Sequence, residues 1–509
     1  EGYLIVLLEY PYGKATDGYG RERVGDMGYN FIPFDRNQQY LLPENMLEWL
    51  PEDDLAYFVM EVVDHMDLSA FYAAYRRDGW GGAAYDPRMM VALLVYAYCV
   101  GERSSRRLER LCRRDIAFRA ISGNSAPDHA TIARVRQRHA AALAEIFSQV
   151  LGMCARAGLV RPDVIAVDGT KIGADASLGA NRSHASLEKE YEELARRILG
   201  EAERIDAEED RIYGREGLGG GLPKELRDAE ARRAWIGERL EEMERRADEA
   251  AAGQQEKIKK REERRRAGEA RIGRNPLPPQ EVRDRLLAGA RINTTDPESR
   301  IMKGPRSYVQ GYNAQAAVTE DQIIVAAHLT QDEADWHQLH PMVERAAENL
   351  ARAGVEAPIG SVLADAGYAC KENLLSAEGR KEEARKRGVS SPEFFIATKK
   401  AGVLARESAC GEEAMPSPAE GRAPRRKARE RGAAARRMEE KLKTEPGREI
   451  YAKRGKTIEP VFGQLKAALR FDRFMRRGLD ACYAEWMPMC AAHNLLKLWR
   501  FQTSPAAGG

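Results

Sequence analysis

Hydrophobic positions along the chain change period twice. Over residues 41–158 they recur at helical spacing, in amphipathic stretches at 43–49 and 53–66 and in an apolar run at 89–100. That run is too short to cross a bilayer and predicts a buried helix. Residues 102–121 read as a further helix that carries many arginines, among them Arg106 and Arg107, with Leu108 and Leu111 facing inward. Gly123-Asn124-Ser125-Ala126-Pro127 then breaks the chain. Asp128 is the expected N-cap of a helix through His139 that displays Arg134, Arg136 and Arg138. Short helices joined by tight turns predict a tri-helical or helix-turn-helix-like domain. An ordinary bundle with a solvated arginine face fits the same pattern.

Residues 164–167 switch to a continuous apolar run of strand type that stops on Asp168-Gly169. From 186 to 287 the helical period returns in a segment dominated by Glu, Arg, Ala and Lys, with Tyr191, Leu194, Ile198 and Ile205 at heptad-like spacing. A turn is expected at 217–223, and a second long helix follows through Trp235, Leu240 and Met243. This predicts a helical hairpin inserted into another domain. Strand signals resume at 306–318 and 323–330, followed by a helix at 337–353 and a strand at 362–365. A helix at 371–388 and a strand at 394–398 complete the series. The order predicts a mixed sheet of the α/β class. Residues 401–444, rich in Ala, Arg, Glu, Gly and Pro, read as a mobile, partly helical linker.

The charge balance changes this picture little. Lys and Arg total 81 against 79 Asp and Glu, a net charge of +2, so affinity for nucleic acid must come from local patches. The cysteines form no CxxC pair, which disfavours a disulfide framework or a thiolate zinc site and suits a reducing cytoplasm. No signal peptide is visible. The chain starts at Glu1 with Met27 its first methionine, and residues 1–26 carry no weight in this reading.

Three acidic positions carry the chemistry. Asp168 and Asp365 each end an apolar run and are followed by a glycine, directly or two residues on. Glu459 lies in a basic segment, Tyr451 through Lys466, with Arg454 and Lys456. Two strand-end aspartates and a glutamate from a later helix can converge on a pair of divalent cations, the arrangement of two-metal phosphoryl transfer. Glu459 and Lys466 are seven residues apart, on one face of a continuous helix, and Pro460 predicts a first turn or a kink there. Each Asp-Gly alone is more often a plain turn, and 451–466 alone fits a surface helix. Other candidates are weaker. His337 and His340 lie a helical turn apart without a third ligand, and Gly219-Gly220-Gly221 lacks the context of a phosphate loop.

Taken together these segments resemble the DDE transposases of bacterial insertion sequences, over roughly residues 40–498. Further matching blocks are Arg103-Ser104-Ser105-Arg106-Arg107-Leu108-Glu109, Pro127 through Ile132, Asp296 through Lys303, and Gly311-Tyr312-Asn313-Ala314-Gln315. The resemblance implies an RNase H-like core with Asp168, Asp365 and Glu459 as the catalytic triad, holding two Mg²⁺ or Mn²⁺ ions. It implies a Tyr-Arg-Glu-Lys signature at Tyr451, Arg454, Glu459 and Lys466. The Arg454–Glu459 gap is one residue longer than that pattern, so Lys456 stands beside Arg454 as a phosphate contact. Arg106, Arg107, Arg134 and Arg136 would join the DNA contacts of the N-terminal helices. The implied activity is DNA cleavage at the element's terminal inverted repeats and strand transfer into target DNA, by a homodimer in the bacterial cytoplasm. A silent DNA-binding derivative and a purely hydrolytic nuclease are the alternatives. The expected organisation is an extension (1–40), a helical DNA-binding domain (41–160), a first segment of the catalytic core (161–185), the helical insertion (186–290) and a second segment of the core (291–400). A basic linker (401–446), C-terminal core helices (447–502) and a tail (503–509) follow.

Overall fold

The structure, a computed structural model, describes residues 15–16, 22–23, 46–75, 84–197, 224–267, 275–304, 307–387, 391–398 and 432–503. The chain divides into two units, Glu1–Trp49 and Leu50–Gly509. In the first, β1 (Ala15–Thr16) pairs antiparallel with β2 (Glu22–Arg23), and Met46–Trp49 forms a 3-10 turn.

The second unit begins with helices whose starts are set by aspartates. Asp54 caps α1 (Leu55–Asp64) by accepting from the Ala56 amide at 2.8 Å. α2 (Ser69–Tyr72) is one turn. Asp86 caps α3 (Pro87–Cys99), where Pro87 occupies a first-turn position whose missing amide costs nothing. The helix is buried almost all round because α1 and the last helix of the chain both pack on it. The expected single helix at 102–121 is two, α4 (Ser105–Arg114) and α5 (Ile116–Ile121). Asp115 interrupts it, in extended conformation, by using its side chain to cap α5. Leu108 is buried as expected. Asp128 caps α6 (His129–Arg138) through the Thr131 amide at 2.9 Å, and α7 (Ala140–Arg156) follows.

The sheet starts at β3 (Val164–Gly173). The expected stop at Asp168 is wrong: the strand runs on to Gly173, because its partner continues with it. A short antiparallel ladder of β4 (Asn181–Ser183) and β5 (Arg291–Asn293) brackets three helices in sequence: residues 184–197 (α8), α9 (Lys224–Arg266) and α10 (Pro279–Gly289). His184 meets Glu244 and Glu190 meets Arg232, so α8 and α9 run antiparallel. Leu187, Ile236, Met243 and Ile292 form a small separate core there. The turn expected at 217–223 lies outside the described residues.

β6 (Arg300–Lys303) and β7 (Tyr308–Thr319) form a hairpin, and β8 (Ile324–Thr330) follows. β7 pairs antiparallel with β3 from Ile165↔Thr319 to Gly173↔Gly311. Its other edge is shared by β6 (Tyr308–Gly311) and β8 (Asn313–Val318). Only glycine fits at 311, where a Cβ would lie 2.1 Å from the Ile172 carbonyl oxygen. After α11 (Leu339–Arg352), β9 (Ser361–Ala364) joins β3 in parallel on its far side. α12 (Lys371–Arg387) leads to β10 (Glu393–Ile396), parallel to β9. The result is a mixed α/β sheet whose central strands are buried on both faces, which is why they read as unbroken apolar runs.

Most of the expected linker lies outside the described residues, but its end is helical: α13 (Ala433–Lys443) buries Ala434, Met438 and Leu442. Three more helical elements follow, α14 (Glu445–Thr457), α15 (Glu459–Gly463) with Pro460 in its first turn, and α16 (Leu479–Thr503). A π-turn at Gln464–Ala468 interrupts the helix expected to join Glu459 and Lys466. α16 packs on β8, α7 and α3, joining the N-terminal helices to the sheet. Its buried Asn494 gives strand β8 a substitute partner, accepting from the Ile324 amide at 2.9 Å and donating to the Ile324 carbonyl at 2.8 Å. Among the described residues the cysteines are free thiols, and no helix is long and apolar enough to cross a membrane.

Candidate active site

Strand register alone places two of the predicted carboxylates. Val167 and Ala364 are partners in the parallel β3–β9 ladder, so the next residue on each strand is an aspartate, Asp168 and Asp365. Asp168 sits mid-strand opposite Ala316 of β7, and its carboxylate also accepts from the Gly169 amide at 2.8 Å. Asp365 lies just past β9 and caps a 3-10 turn, accepting from the Gly367 amide at 2.7 Å.

α14 brings Arg454 to the same place, and the start of α15 brings Glu459. Arg454 donates from Nη2 to Asp168 Oδ2 at 2.5 Å, and its Nη1 lies 3.7 Å from Glu459 Oε1. The arginine and Asp168 side chains are only 13% and 17% exposed, whereas Glu459 is 66% exposed. The electrostatics follow from that burial. Loss of water pushes the Asp168 carboxyl up to about 6; Arg454 pulls it down, while the charges of Asp365 and Asp335 add to the rise. Burial works against the Arg454 charge, but Asp168, Tyr451, Asp365 and Glu459 outweigh it and hold the guanidinium above its ordinary value. Burial raises the Tyr451 phenol beside the same carboxylates. The site therefore holds more negative charge than its arginine neutralises.

Hard oxygen donors carrying surplus negative charge fit Mg²⁺ or Mn²⁺ in chemistry. Among the described residues, however, no group of three or more His, Cys, Asp or Glu side chains stands close enough to hold a metal ion. Arg454 reaches both Asp168 and Glu459 instead.

The remaining predicted contacts divide. Lys466 turns inward, donating to the Lys171 carbonyl at 2.9 Å, and burial lowers its pKa. Lys456 is exposed and Arg454 is the residue that faces Asp168. In the N-terminal helices Arg106 and Arg134 are exposed, and Arg107 is exposed but paired with Glu102 at 2.8 Å. Arg136 points into the protein, donating to the Arg103 carbonyl at 2.5 Å and to Ser105 Oγ at 3.1 Å, with its guanidinium over the Tyr98 ring. His337 is exposed, and His340 packs its ring against Phe394, so they form no shared site.

Sequence reasoning missed the polar cluster behind β3. Asp335 Oδ1 accepts from Asn313 at 2.7 Å, Gln315 at 2.8 Å and Lys171 at 3.2 Å. The signal was present: Asn313 and Gln315 alternate with Tyr312, Ala314 and Ala316 within one strand.

Residues 44–138 match a transposase domain (DUF772), and residues 407–499, the segment holding Arg454 and Glu459, match a transposase DDE domain. No curated protein and no solved structure matches the chain. Both matches are to transposase domains, and together they support a DDE transposase of an insertion sequence.

Proposed function

We propose that this transposase cuts DNA at the ends of its element and joins the freed ends to target DNA, using Asp168, Asp365 and Glu459 as catalytic carboxylates. The register that sets Asp168 beside Asp365 is the observation that carries the reading. The order of three antiparallel strands, β8, β7 and β3, then two parallel ones, β9 and β10, supports an RNase H-like core. The position of α8 and α9 between β4 and β5 supports a helical hairpin inserted into that core.

Asp168, Asp365 and Glu459 would hold Mg²⁺ or Mn²⁺, which supplies charge neutralisation at the scissile phosphate and acidifies the attacking oxygen. Arg454 offers a charged fork for a phosphate oxygen at the same spot. In strand transfer the freed 3′-hydroxyl oxygen forms a bond to the target phosphorus as the bond to the target's own 3′-oxygen breaks. The attacking hydroxyl loses a proton and the leaving oxygen gains one. The number of phosphodiesters is unchanged, so no high-energy cofactor is needed. Exposed Arg106 and Arg134 on α4 and α6 contact the backbone of the terminal inverted repeats, and two copies synapse the two ends.

The test is incubation of the purified full-length chain with Mg²⁺ and a duplex bearing the element's ends. Strand-transfer product is expected. Nicking alone favours a hydrolytic nuclease, and a mobility shift without cleavage favours a silent DNA-binding derivative. Asp168→Ala is expected to abolish cutting and keep the shift. Residual cutting by that variant would remove Asp168 from the catalytic set.

A further inference from the structure

The β3–β9 register sets the backbones of Asp168 and Asp365 side by side, but among the described residues no hydrogen bond or ion pair on their own face holds the Asp365 side chain against Asp168. Arg454 touches Asp168 and Glu459 but makes no bond to Asp365. Side chains alternate along a strand. Gly169 and Lys171 of β3, with their partners Gln315 and Asn313 of β7, therefore face the side of the sheet opposite Asp168. There the structure holds a compact set of polar groups with fixed partners.

Asp335 is its centre, bound by Asn313, Gln315 and Lys171 through one carboxylate oxygen. Gln315 Nε2 also donates to Asn313 Oδ1 at 3.0 Å, and Gln315 Oε1 accepts from the Tyr368 hydroxyl at 2.5 Å. Gln315 and Tyr368 are fully buried. The strand segment after Asp168 and the turn capped by Asp365 both border this cluster. A Cβ on Gly169, the residue after Asp168, would lie 2.1 Å from Gln315 Nε2 and 2.6 Å from Asp335 Oδ1. A Cβ on Gly367, in the turn that Asp365 caps, would lie 3.5 Å from Asp335 Oδ2. The next residue of that turn is Tyr368. One Asp335 oxygen therefore fills the space a side chain at Gly169 would take, the other borders the space beside Gly367, and Gln315 links the Gly169 side of the cluster to the Tyr368 side chain.

We propose that Asp335, with Gln315, Asn313 and Tyr368, is a positioning cluster that sets the separation of the Asp168 and Asp365 carboxylates from behind the sheet. This rests on the reading of those two aspartates as cation-holding groups, since the separation matters only if both must reach one ion cluster. Small displacements of ligands cost metal affinity even when the ligands themselves are intact.

The test is Mn²⁺ binding to the full-length protein without DNA, followed by the electron paramagnetic resonance signal of free Mn²⁺, with a thermal melt of each variant. Asp335→Ala is expected to weaken Mn²⁺ binding about 10-fold or more. Asp335→Asn keeps an acceptor oxygen for Asn313 and Gln315 and is expected to restore most of it. Tyr368→Phe keeps the ring packed but releases Gln315, and is expected to weaken binding without loss of folding, which covers the case in which Asp335→Ala does not fold. A merely structural role lowers the melting temperature and leaves Mn²⁺ affinity alone. Wild-type affinity in folded Asp335→Ala, or in Tyr368→Phe, overturns the proposal while Asp168→Ala still loses binding. Mn²⁺ bound equally well by Asp168→Ala, or not bound by the wild type, overturns the underlying reading and the proposal with it.

Discussion

Replacing Asp168 by asparagine tests the electrostatics of the site while leaving its shape in place. In the folded chain the Asp168 carboxyl is pushed from 3.8 up to about 6, chiefly by burial. Unfolded, it ionises near the ordinary value. Between those two pH values the folded state keeps a proton that the unfolded state has lost. Stability is therefore unaffected well below pH 4, falls as pH rises toward 6, and stays reduced above it. The full displacement corresponds to about 3 kcal/mol. Asparagine never ionises, so Asp168→Asn is expected to be more stable than the wild type by about 3 kcal/mol at pH 7 to 8. The gain should shrink to nothing near pH 4. The assay is denaturant unfolding of both proteins over that range in chelator, and then with Mn²⁺, which should stabilise only the wild type. Stabilisation by loss of a functional carboxylate is the usual mark of a site strained for its task. A variant less stable at pH 7, or a difference that does not change with pH, refutes the reasoning.

Two further outcomes follow from buried and exposed arginines. Arg103 pairs with Glu485 at 2.9 Å, both largely buried, and also donates to the Arg470 and Arg473 carbonyls. Arg103→Ala strands that carboxylate and is expected to cost about 3–5 kcal/mol in denaturant unfolding, with part of the loss recovered in the double variant with Glu485→Ala; a cost below about 1 kcal/mol contradicts the pairing. Arg134→Ala, on the exposed face of α6, is expected to leave the melting temperature unchanged, to weaken DNA binding in anisotropy titrations, and to reduce the salt slope by about 1. Arg136→Ala is expected to lower the melting temperature instead, since that side chain bonds Arg103 and Ser105 and lies on Tyr98.

Much of the site was legible because strand ends and helix starts have local chemical signatures. Asp128 before α6 and Pro460 in the first turn of α15 were readable from neighbouring residues alone, and so were the apolar runs leading to Asp168 and Asp365. The errors came where a local preference met a longer-range one. Asp168-Gly169 reads as a strand end, but β7 extends the ladder past it, and Gly169 serves close packing against Gln315 instead of a turn. Residues 102–121 keep one helical period, yet Asp115 caps a new helix within it. The arginines of α4 and α6 look alike in sequence, and burial against Tyr98 alone separates Arg136 from Arg134.

By itself the sequence determined the alternation of helical and strand periods, the mixed α/β class and which carboxylates to watch, because these rest on spacing and on residue chemistry within a few positions. Only the tertiary structure decided that Val167 pairs with Ala364, that Arg454 reaches Asp168 across 286 positions of sequence, and that Asp335 lies behind both aspartates. Register and packing depend on which surfaces bury each other. That choice is made by the whole core at once, and no short segment encodes it.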